Sequence, residues 1–264
     1  MTIPHDFYIK FTQPDILEDT LSFHCKGNFF IHGATQHFST LHHIHDKDLL
    51  TLTGNELALY PDQDTSQKNA PIVALPTEHP LHREESCDMF NNQEISLTTL
   101  YEILSPLISR TSHTYKRGYP SGGALYPVEL FCCNLNSENP WPNYQHIVHA
   151  LSRSKKLESI SGCYSAEQLH NILLPTKSTI GTPSVALIYF MYLPKALFKY
   201  RYRGYRLAIL EAGSMYMLTD LRCKDLKLKN RMWSGFTDYQ LTKALNLNPA
   251  LFLPLCVQFI GHQG

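Results

Sequence analysis

The sequence lacks several features that mark common classes of protein. Lys plus Arg equals Asp plus Glu at 23 each, so the formal net charge is zero and no general attraction to nucleic acid or to an anionic membrane is expected. No stretch reaches the roughly 18 apolar residues that span a membrane, and the first residues show no secretory signal. The seven cysteines show no C-x-x-C spacing, which favours reduced thiols. We therefore expect a cytoplasmic protein with no nucleic-acid or membrane partner.

Common catalytic and nucleotide-binding motifs are also missing. The sequence contains no G-x-G-x-x-G, P-loop, G-x-S-x-G or H-E-x-x-H pattern. A Rossmann unit that binds nicotinamide therefore has no support. The histidines at 42, 43 and 45 have no Cys or further His at supporting spacing, so we expect no metal site.

The 264 residues, 43% of them hydrophobic, suffice for one large domain or for a domain with an extension. Residues 1–80 differ from the rest and predict an N-terminal extension that could dock partners. From 81 to 264, helix and strand patterns alternate, which predicts an α+β domain. Helices are predicted over 97–108 after a Ser96 cap, over 207–221 and from Asp238, and buried strands over 127–135, 184–193 and 252–260.

The segment 117–127, Arg-Gly-Tyr-Pro-Ser-Gly-Gly-Ala-Leu-Tyr-Pro, is the first candidate site. Gly122 and Gly123 permit a tight turn whose backbone N–H groups can approach a ligand closely. Ser121 can donate through its hydroxyl, and Arg117 supplies positive charge for a phosphate or a carbonyl group. The same residues are also typical of a plain turn that leads into a strand, so both interpretations stay open.

The segment 199–206, Lys-Tyr-Arg-Tyr-Arg-Gly-Tyr-Arg, interleaves cations with tyrosines. Such a pattern can grip single-stranded nucleic acid through backbone charge and base stacking, although the zero net charge of the chain gives this no support. The cations could equally surround a small anionic ligand, or form a solvated face whose tyrosines pack inward. The residues alone do not choose between these interpretations.

The third candidate is the Ser234-Gly235 pair between Trp233 and Phe236. A turn there would present backbone N–H groups beside apolar surface, an arrangement that suits a flavin ring. It could also do no more than separate a strand from the next helix.

In this order, the three segments resemble the azoline dehydrogenases of microcin-type thiazole and oxazole synthetases, a branch of the nitroreductase-like flavoproteins. The shared runs are Tyr-Pro-Ser-Gly-Gly-Ala-Leu-Tyr-Pro at 119–127, Lys-Ala-Leu-Phe followed by the Lys-Tyr run at 195–206, Gly-Ser-Met-Tyr at 213–216 and Leu-Lys-Asn-Arg at 228–231. Phe-His-Cys-Lys-Gly-Asn-Phe at 23–29 also matches. The resemblance is densest from about residue 80 to 261.

This resemblance implies a nitroreductase-like, FMN-binding α+β fold that works as a homodimer, with flavin sites at the subunit interface. It implies oxidation of thiazolines and oxazolines, formed from Cys or Ser of a precursor peptide, to aromatic azoles, with oxygen as the final acceptor. It also implies a synthetase complex with a cyclodehydratase and a peptide-recognition subunit.

The resemblance implies roles for individual residues as well. Lys199 and Tyr200 match the catalytic Lys-Tyr pair of the family. The flavin-binding positions of the family fall on Arg117, Ser121, Gly122, Gly123, Ser234 and Gly235. Arg83 and Ser86 resemble the Arg-x-Ser pattern that holds the FMN phosphate, but Arg83 lies one position further from Ser86 than that pattern asks, and Glu84 occupies the usual place.

Aromatising an azoline removes a proton and a hydride from neighbouring carbons, so the protein must supply a base. Lys199 could be that base only in its neutral form, which burial and the cations Arg201 and Arg203 would favour. Tyr200 would then orient or relay the proton. Adjacent residues on a strand point to opposite faces, so both can serve one site only if this stretch turns or is helical.

Two other functions stay open at this point. One is a general nitroreductase or quinone reductase with a nicotinamide donor, against which the Lys-Tyr-Arg-Tyr-Arg run argues, since it implies a dedicated site. The other is a non-catalytic scaffold subunit of a synthetase.

Overall fold

A computed structural model describes residues 3–29, 79–109, 114–136, 141, 146–160, 164–175 and 180–264. Met1–Phe29 and Arg83–Gly264 form one unit, and Phe30–His82 form a second. The first 29 residues thus group with the predicted domain 81–264, although the sequence assigns them to an extension over 1–80. Residues 30–78, including the three neighbouring histidines, lie outside the described residues, and a role for them in docking partners stays a prediction.

The described residues contain six α-helices, which recurring apolar positions and capping residues at their first turns favour. They are α1 (Pro14–Cys25), α2 (Leu97–Leu104), α3 (Ala166–Leu173), α4 (Leu193–Tyr200), α5 (Tyr202–Asp225) and α6 (Asp238–Ala244). Ser96 caps α2 as predicted, because its hydroxyl accepts the Thr99 N–H at 3.1 Å. A capping box of Ser165 and Gln168 begins α3. None of these helices is both long and apolar enough to cross a membrane.

Six described strands form one sheet in the order β3-β2-β1-β4-β6-β5, and all neighbouring strands are antiparallel. They are β1 (Val128–Asn134), β2 (Ile147–Leu151), β3 (Lys156–Ser159), β4 (Val185–Tyr192), β5 (Lys229–Trp233) and β6 (Phe252–Gly261). The three buried strands predicted from the sequence are β1, β4 and β6. They are adjacent at the centre of the sheet, which explains why their sequences are apolar on both faces.

Helices cover both faces of the sheet, so the described part of the unit formed by Met1–Phe29 and Arg83–Gly264 has three layers. All eight residues of β4 are buried, and successive residues alternate between two hydrophobic clusters. Leu187 and Tyr189 pack with residues of α2, α4 and α5 on one face. Ile188 and Phe190 pack with residues of α3 and α6 on the other. This confirms the predicted α+β architecture, and it places α4 and α5 side by side on one face.

The corner between α4 and α5 depends on two backbone features. Arg201, the single residue between the helices, has φ of 50°, a conformation that non-glycine residues rarely adopt. Gly204 is buried, and a Cβ atom there would lie 1.9 Å from the Ala196 carbonyl oxygen. Only glycine therefore allows the first turn of α5 to approach α4 so closely.

We expect Gly204→Ala to destabilise the protein by about 3 kcal/mol, because the added methyl group must push two helix backbones apart. Urea unfolding measures this change. Gly213→Ala is the matched control, since Gly213 is an exposed residue of the same helix and an added Cβ meets no atom within 4 Å. This control should gain about 0.5–1 kcal/mol from helix propensity. Equal effects of the two substitutions would contradict the role of the corner.

Candidate active site

The glycine turn and the Lys-Tyr pair meet in the structure. Gly123 is exposed and has φ of 62°, within a short 3₁₀ turn over Gly122–Ala124. A Cβ atom at Gly123 would lie 2.6 Å from Tyr200 Oη and 3.2 Å from Lys199 Nζ. The polar ends of both side chains thus lie against the bare backbone of Gly123. Packing favours glycine at position 122, because a Cβ atom there would lie 2.8 Å from Leu207 Cδ1.

Lys199 and Tyr200 can face one site because they lie in the last turn of a helix rather than on a strand. The helix α4 ends at Tyr200, and Lys199 Nζ lies 5.2 Å from the centre of the Tyr200 ring. Lys199 is exposed in this chain, and so are Arg201 and Arg203. The burial that would favour a neutral Lys199 is therefore not present in the single chain. The Arg201 guanidinium donates to Gln13 Oε1 at 2.7 Å.

The polar groups that precede the glycines are used within the turn itself. The Ser121 hydroxyl oxygen accepts the Tyr126 N–H at 2.9 Å. The Arg117 guanidinium donates to Tyr119 Oη at 2.7 Å and lies 4.6 Å from the centre of the Tyr126 ring. The Arg117 N–H also donates to Tyr126 Oη at 3.0 Å. These contacts hold the shape of the turn, so its backbone is more available to a ligand than the Ser121 hydroxyl.

A buried acid behind the turn was not predicted from the sequence. Glu211 of α5 is 2% exposed, and its Oε1 accepts the Val128 N–H at 3.2 Å. Burial raises the pKa of Glu211 to about 7, against hydrogen bonds from Ser121 and Val128 and the charges of Arg117 and Lys195. Its Oε2 has no hydrogen-bond partner within the described part of the chain. The sequence does carry a sign of this buried acid. Glu211 has helical spacing with Ala208, Ala212 and Met215, which are buried residues on the same side of α5.

Arg83 and Ser86 come together despite their unusual spacing. Arg83 Nη2 donates to Ser86 Oγ at 3.2 Å, and Arg83 Nε donates to Asp220 Oδ2 at 2.9 Å. The Arg83 side chain is 40% exposed, whereas Asp220 is buried. Glu84, which occupies the usual position of the arginine, instead pairs with Lys229 of β5. The structure thus selects Arg83 as the partner of Ser86.

Ser234 and Gly235 form the predicted turn between a strand and a helix, directly after β5. Trp233 and Phe236 pack inward on either side of it, and Trp233 Nε1 donates to the Leu173 carbonyl at 3.0 Å. Ser234 is exposed and lines a cavity of 360 Å³. We call this the Ser234 cavity. It is lined by Phe23, His24, Lys26, Gly27, Asn28, Tyr205, Ser234, Phe236, Asp238, Pro254 and Leu255.

The predicted residues therefore form three groups: the glycine turn with Lys199 and Tyr200, the Arg83–Ser86 pair, and the Ser234-Gly235 turn. No hydrogen bond, ion pair or ring contact between described residues joins one group to another. The helix α5 supports two of them, through Glu211 behind the glycine turn and through Asp220 beneath Arg83.

A second cavity, of 380 Å³, lies beside the glycine turn and includes Arg117. No cluster of three metal-ligating side chains occurs in the described ranges.

Comparison with solved structures identifies the class of fold. A nitroreductase-like protein from Ralstonia eutropha superposes with a TM-score of 0.60 at 16% identity, covering 77% of this chain and 88% of that chain. At this identity the likeness establishes the fold alone. No family model matches the chain. The chain has the nitroreductase-like fold that the sequence predicts.

Two further comparisons identify the family. The microcin B17-processing protein McbC of Escherichia coli is 33% identical over 259 residues, which cover 95% of this chain and 92% of McbC. A solved structure of the E. coli microcin synthetase McbBCD complex, with truncated pro-MccB17 bound, superposes with a TM-score of 0.87 at 31% identity, covering 100% of this chain and 98% of that chain. The chain belongs to the McbC family. The resemblance predicted from the sequence is thereby confirmed.

We expect Glu211→Gln to remove a pH dependence of stability. The pKa of Glu211 is raised from 4.5 to about 7 in the folded chain, so folding takes up a proton between these values, and stability falls as pH rises through them. Because glutamine resembles the protonated acid, the variant should exceed the wild type by roughly 2 to 3 kcal/mol at pH 8, and this advantage should disappear near pH 4.5.

Urea unfolding between pH 4.5 and pH 8 measures this difference. Glu167→Gln, which changes an exposed glutamate in the first turn of α3, is the control and should run parallel to the wild type. A pH-independent difference for Glu211→Gln would show that the carboxyl titrates normally.

Proposed function

We propose that the chain binds FMN and oxidises peptide thiazolines and oxazolines to thiazoles and oxazoles during the biosynthesis of a microcin-like peptide. The observation that carries the proposal is the meeting of Lys199 and Tyr200 with the backbone of Gly123. Membership of the McbC family supports the same chemistry, because McbC processes microcin B17.

The residues of the glycine turn fit a flavin. Gly123 is exposed and presents backbone with no side chain, and a Cβ there would lie only 2.6 Å from Tyr200 Oη, so the close approach of Tyr200 requires glycine. A flavin that contacts this backbone would have the polar ends of Lys199 and Tyr200 within reach. The hydrogen bonds of Ser121 and Arg117 hold the turn in this shape before any ligand binds. Such preorganisation lowers the entropy cost of binding.

Arg83 and Ser86 fit the phosphate of FMN. An arginine guanidinium beside a hydroxyl offers several charge-assisted hydrogen bonds to phosphate oxygens. Asp220 orients Arg83 through its Nε atom, which leaves the outer part of a 40% exposed side chain facing solvent. Lys229 and Arg231 of β5 pair with Glu84 and Asp88, so the negative charge of these two carboxylates beside Arg83 and Ser86 is compensated.

When bound, FMN accepts the hydride that leaves the azoline ring. The chain's own task is to remove a proton from the neighbouring ring carbon and to hold the ring in place. Lys199 Nζ is the proposed base, and Tyr200 Oη orients or relays the proton. The cofactor, the substrate or a second chain must bury Lys199, because it is exposed in the single chain. Oxygen is the proposed final acceptor of the electrons.

The three separate groups of site residues support a homodimer with composite sites. Each group has features of a flavin site, yet no described contact joins them within one chain. In a dimer, one chain can supply the glycine turn while its partner supplies another group. We also propose the synthetase partners, a cyclodehydratase and a peptide-recognition subunit, together with a precursor peptide as substrate. The relative in the McbBCD complex supports these partners.

Arg83→Ala should weaken FMN binding by about tenfold or more, because one charge-assisted contact to phosphate contributes roughly 1.5 to 3 kcal/mol. The quenching of FMN fluorescence during titration of the apoprotein gives the dissociation constant. Glu84→Ala is the matched control, as it removes the neighbouring side chain at the position that the usual spacing would assign to the arginine. Its affinity for FMN should be unchanged or higher. A loss of affinity confined to Glu84→Ala would contradict the assignment of Arg83.

Lys199→Ala should retain yellow FMN and leave azolines unoxidised, with a rate at least a hundredfold below that of the wild type, since general base catalysis typically contributes that much. Mass spectrometry of a co-expressed precursor counts the loss of two hydrogens per oxidised ring. Lys243→Ala is the matched control, because Lys243 is also an exposed lysine in the last turn of a helix and lies 5.8 Å from a tyrosine ring.

Azole formation at the normal rate by Lys199→Ala would refute the role of Lys199. A wild-type protein that reduces nitroaromatics with NADPH but leaves azolines intact would instead identify a general reductase. A purified protein without flavin absorbance after reconstitution would identify a scaffold subunit.

A further inference from the structure

The Ser234 cavity has a polar wall that the functions assigned so far do not use. That wall comes from the end of α1 and the turn after it, within the run Phe-His-Cys-Lys-Gly-Asn-Phe at 23–29. The cavity is also lined by Ser234, one of the flavin-binding positions that the family resemblance implies. The volume of 360 Å³ lies within the range of small-molecule sites, roughly 300 to 1,000 Å³.

Two polar atoms of this wall are buried without a hydrogen-bond partner in the described part of the chain. They are Nε2 of His24 and Oδ1 of Asn28. Buried polar atoms of native proteins nearly always have a partner, and an unsatisfied one costs about 1–3 kcal/mol. Both residues line the Ser234 cavity. The pair therefore indicates a ligand that supplies the missing hydrogen bonds.

The wall is held in place by contacts from two other elements. His24 Nδ1 lies 3.1 Å from Tyr205 Oη at the start of α5, and the Phe23 ring meets the Tyr205 ring edge-on at 6.0 Å. The Phe29 N–H donates to Asp238 Oδ2 of α6 at 2.9 Å. Burial lowers the pKa of His24, which keeps the ring neutral near pH 7. A neutral ring whose Nδ1 accepts from Tyr205 presents Nε2–H as a donor.

We infer that the Ser234 cavity binds the peptide group next to the azoline ring, with His24 Nε2 and Asn28 Oδ1 as its hydrogen-bond partners. A peptide group offers one acceptor and one donor, which match one donor and one acceptor on the wall. Phe23, Tyr205 and Phe236 supply apolar surface for the flanking ring or side chain. This inference rests on the proposed function, because it identifies the neighbour of the flavin as a peptide substrate.

The test uses the complete synthetase complex and two measurements. The first is the dissociation constant of a fluorescently labelled peptide that carries one thiazole, which needs no turnover. The second is the steady-state oxidation of the same peptide with one thiazoline. His24→Phe keeps an aromatic ring against Tyr205 but removes both nitrogens, and Asn28→Ala removes the amide. His170→Phe is the matched control, since His170 is a half-buried histidine of α3 that does not line the cavity.

We expect His24→Phe and Asn28→Ala each to raise Kd and KM by about fivefold to tenfold, the size expected for one lost hydrogen bond. The kcat, the flavin content and the melting temperature should stay close to those of the wild type, and His170→Phe should bind normally. Unchanged Kd in both variants would overturn the inference, and so would a loss of flavin in both, because the cavity would then serve the cofactor. A wild-type complex that binds the thiazole peptide through His24 but leaves thiazoline intact would refute the proposed function alone.

Discussion

The close packing of α4 against α5 is the constraint on which the candidate site depends. Gly204 lets the first turn of α5 touch the Ala196 carbonyl, and Arg201 turns the chain sharply between the helices. This corner brings the last turn of α4, with Lys199 and Tyr200, onto the backbone of Gly123. A straighter connection would separate the two side chains from the turn. A strained residue at such a corner is typical of functional sites, where surrounding contacts over-determine the backbone.

The helix α5 carries two buried carboxylates whose environments differ, and each supports a different part of the site. Asp220 is paired with Arg83 and also accepts a hydrogen bond from the Asn230 side chain, so its charge is compensated. Glu211 lies behind the glycine turn, and desolvation outweighs its compensating contacts, which raises its pKa. One helix thus orients the proposed phosphate ligand with a compensated carboxylate and supports the flavin turn with an acid that is readily protonated.

Local sequence patterns predicted those parts of the protein that depend on short stretches of chain. Continuous apolar runs identified the three central strands, and a serine cap identified the start of α2. The helix α4 was not predicted, although Leu193, Ala196 and Leu197 have helical spacing. It follows β4 directly, so no turn residues separate the helix from the apolar run of the strand. The pairing of Arg83 with Ser86 depends on Asp220, which is 137 residues away, and no local pattern could reveal it. The same holds for Glu211 and His24, since their burial arises from tertiary packing.

The Ser234 cavity takes its wall from segments that are far apart along the chain. The end of α1 lines the cavity together with Tyr205, Asp238 and residues of β6. The strand β6 starts more than 200 residues after α1 ends. During synthesis on the ribosome, α1 therefore emerges long before the surfaces that it will cover exist. Contacts over such distances slow folding, because the loop must close before they form. Until those surfaces are made, the side chain of Ile16, which is buried in the folded chain, stays exposed to solvent, and transiently exposed apolar surface of this kind favours aggregation.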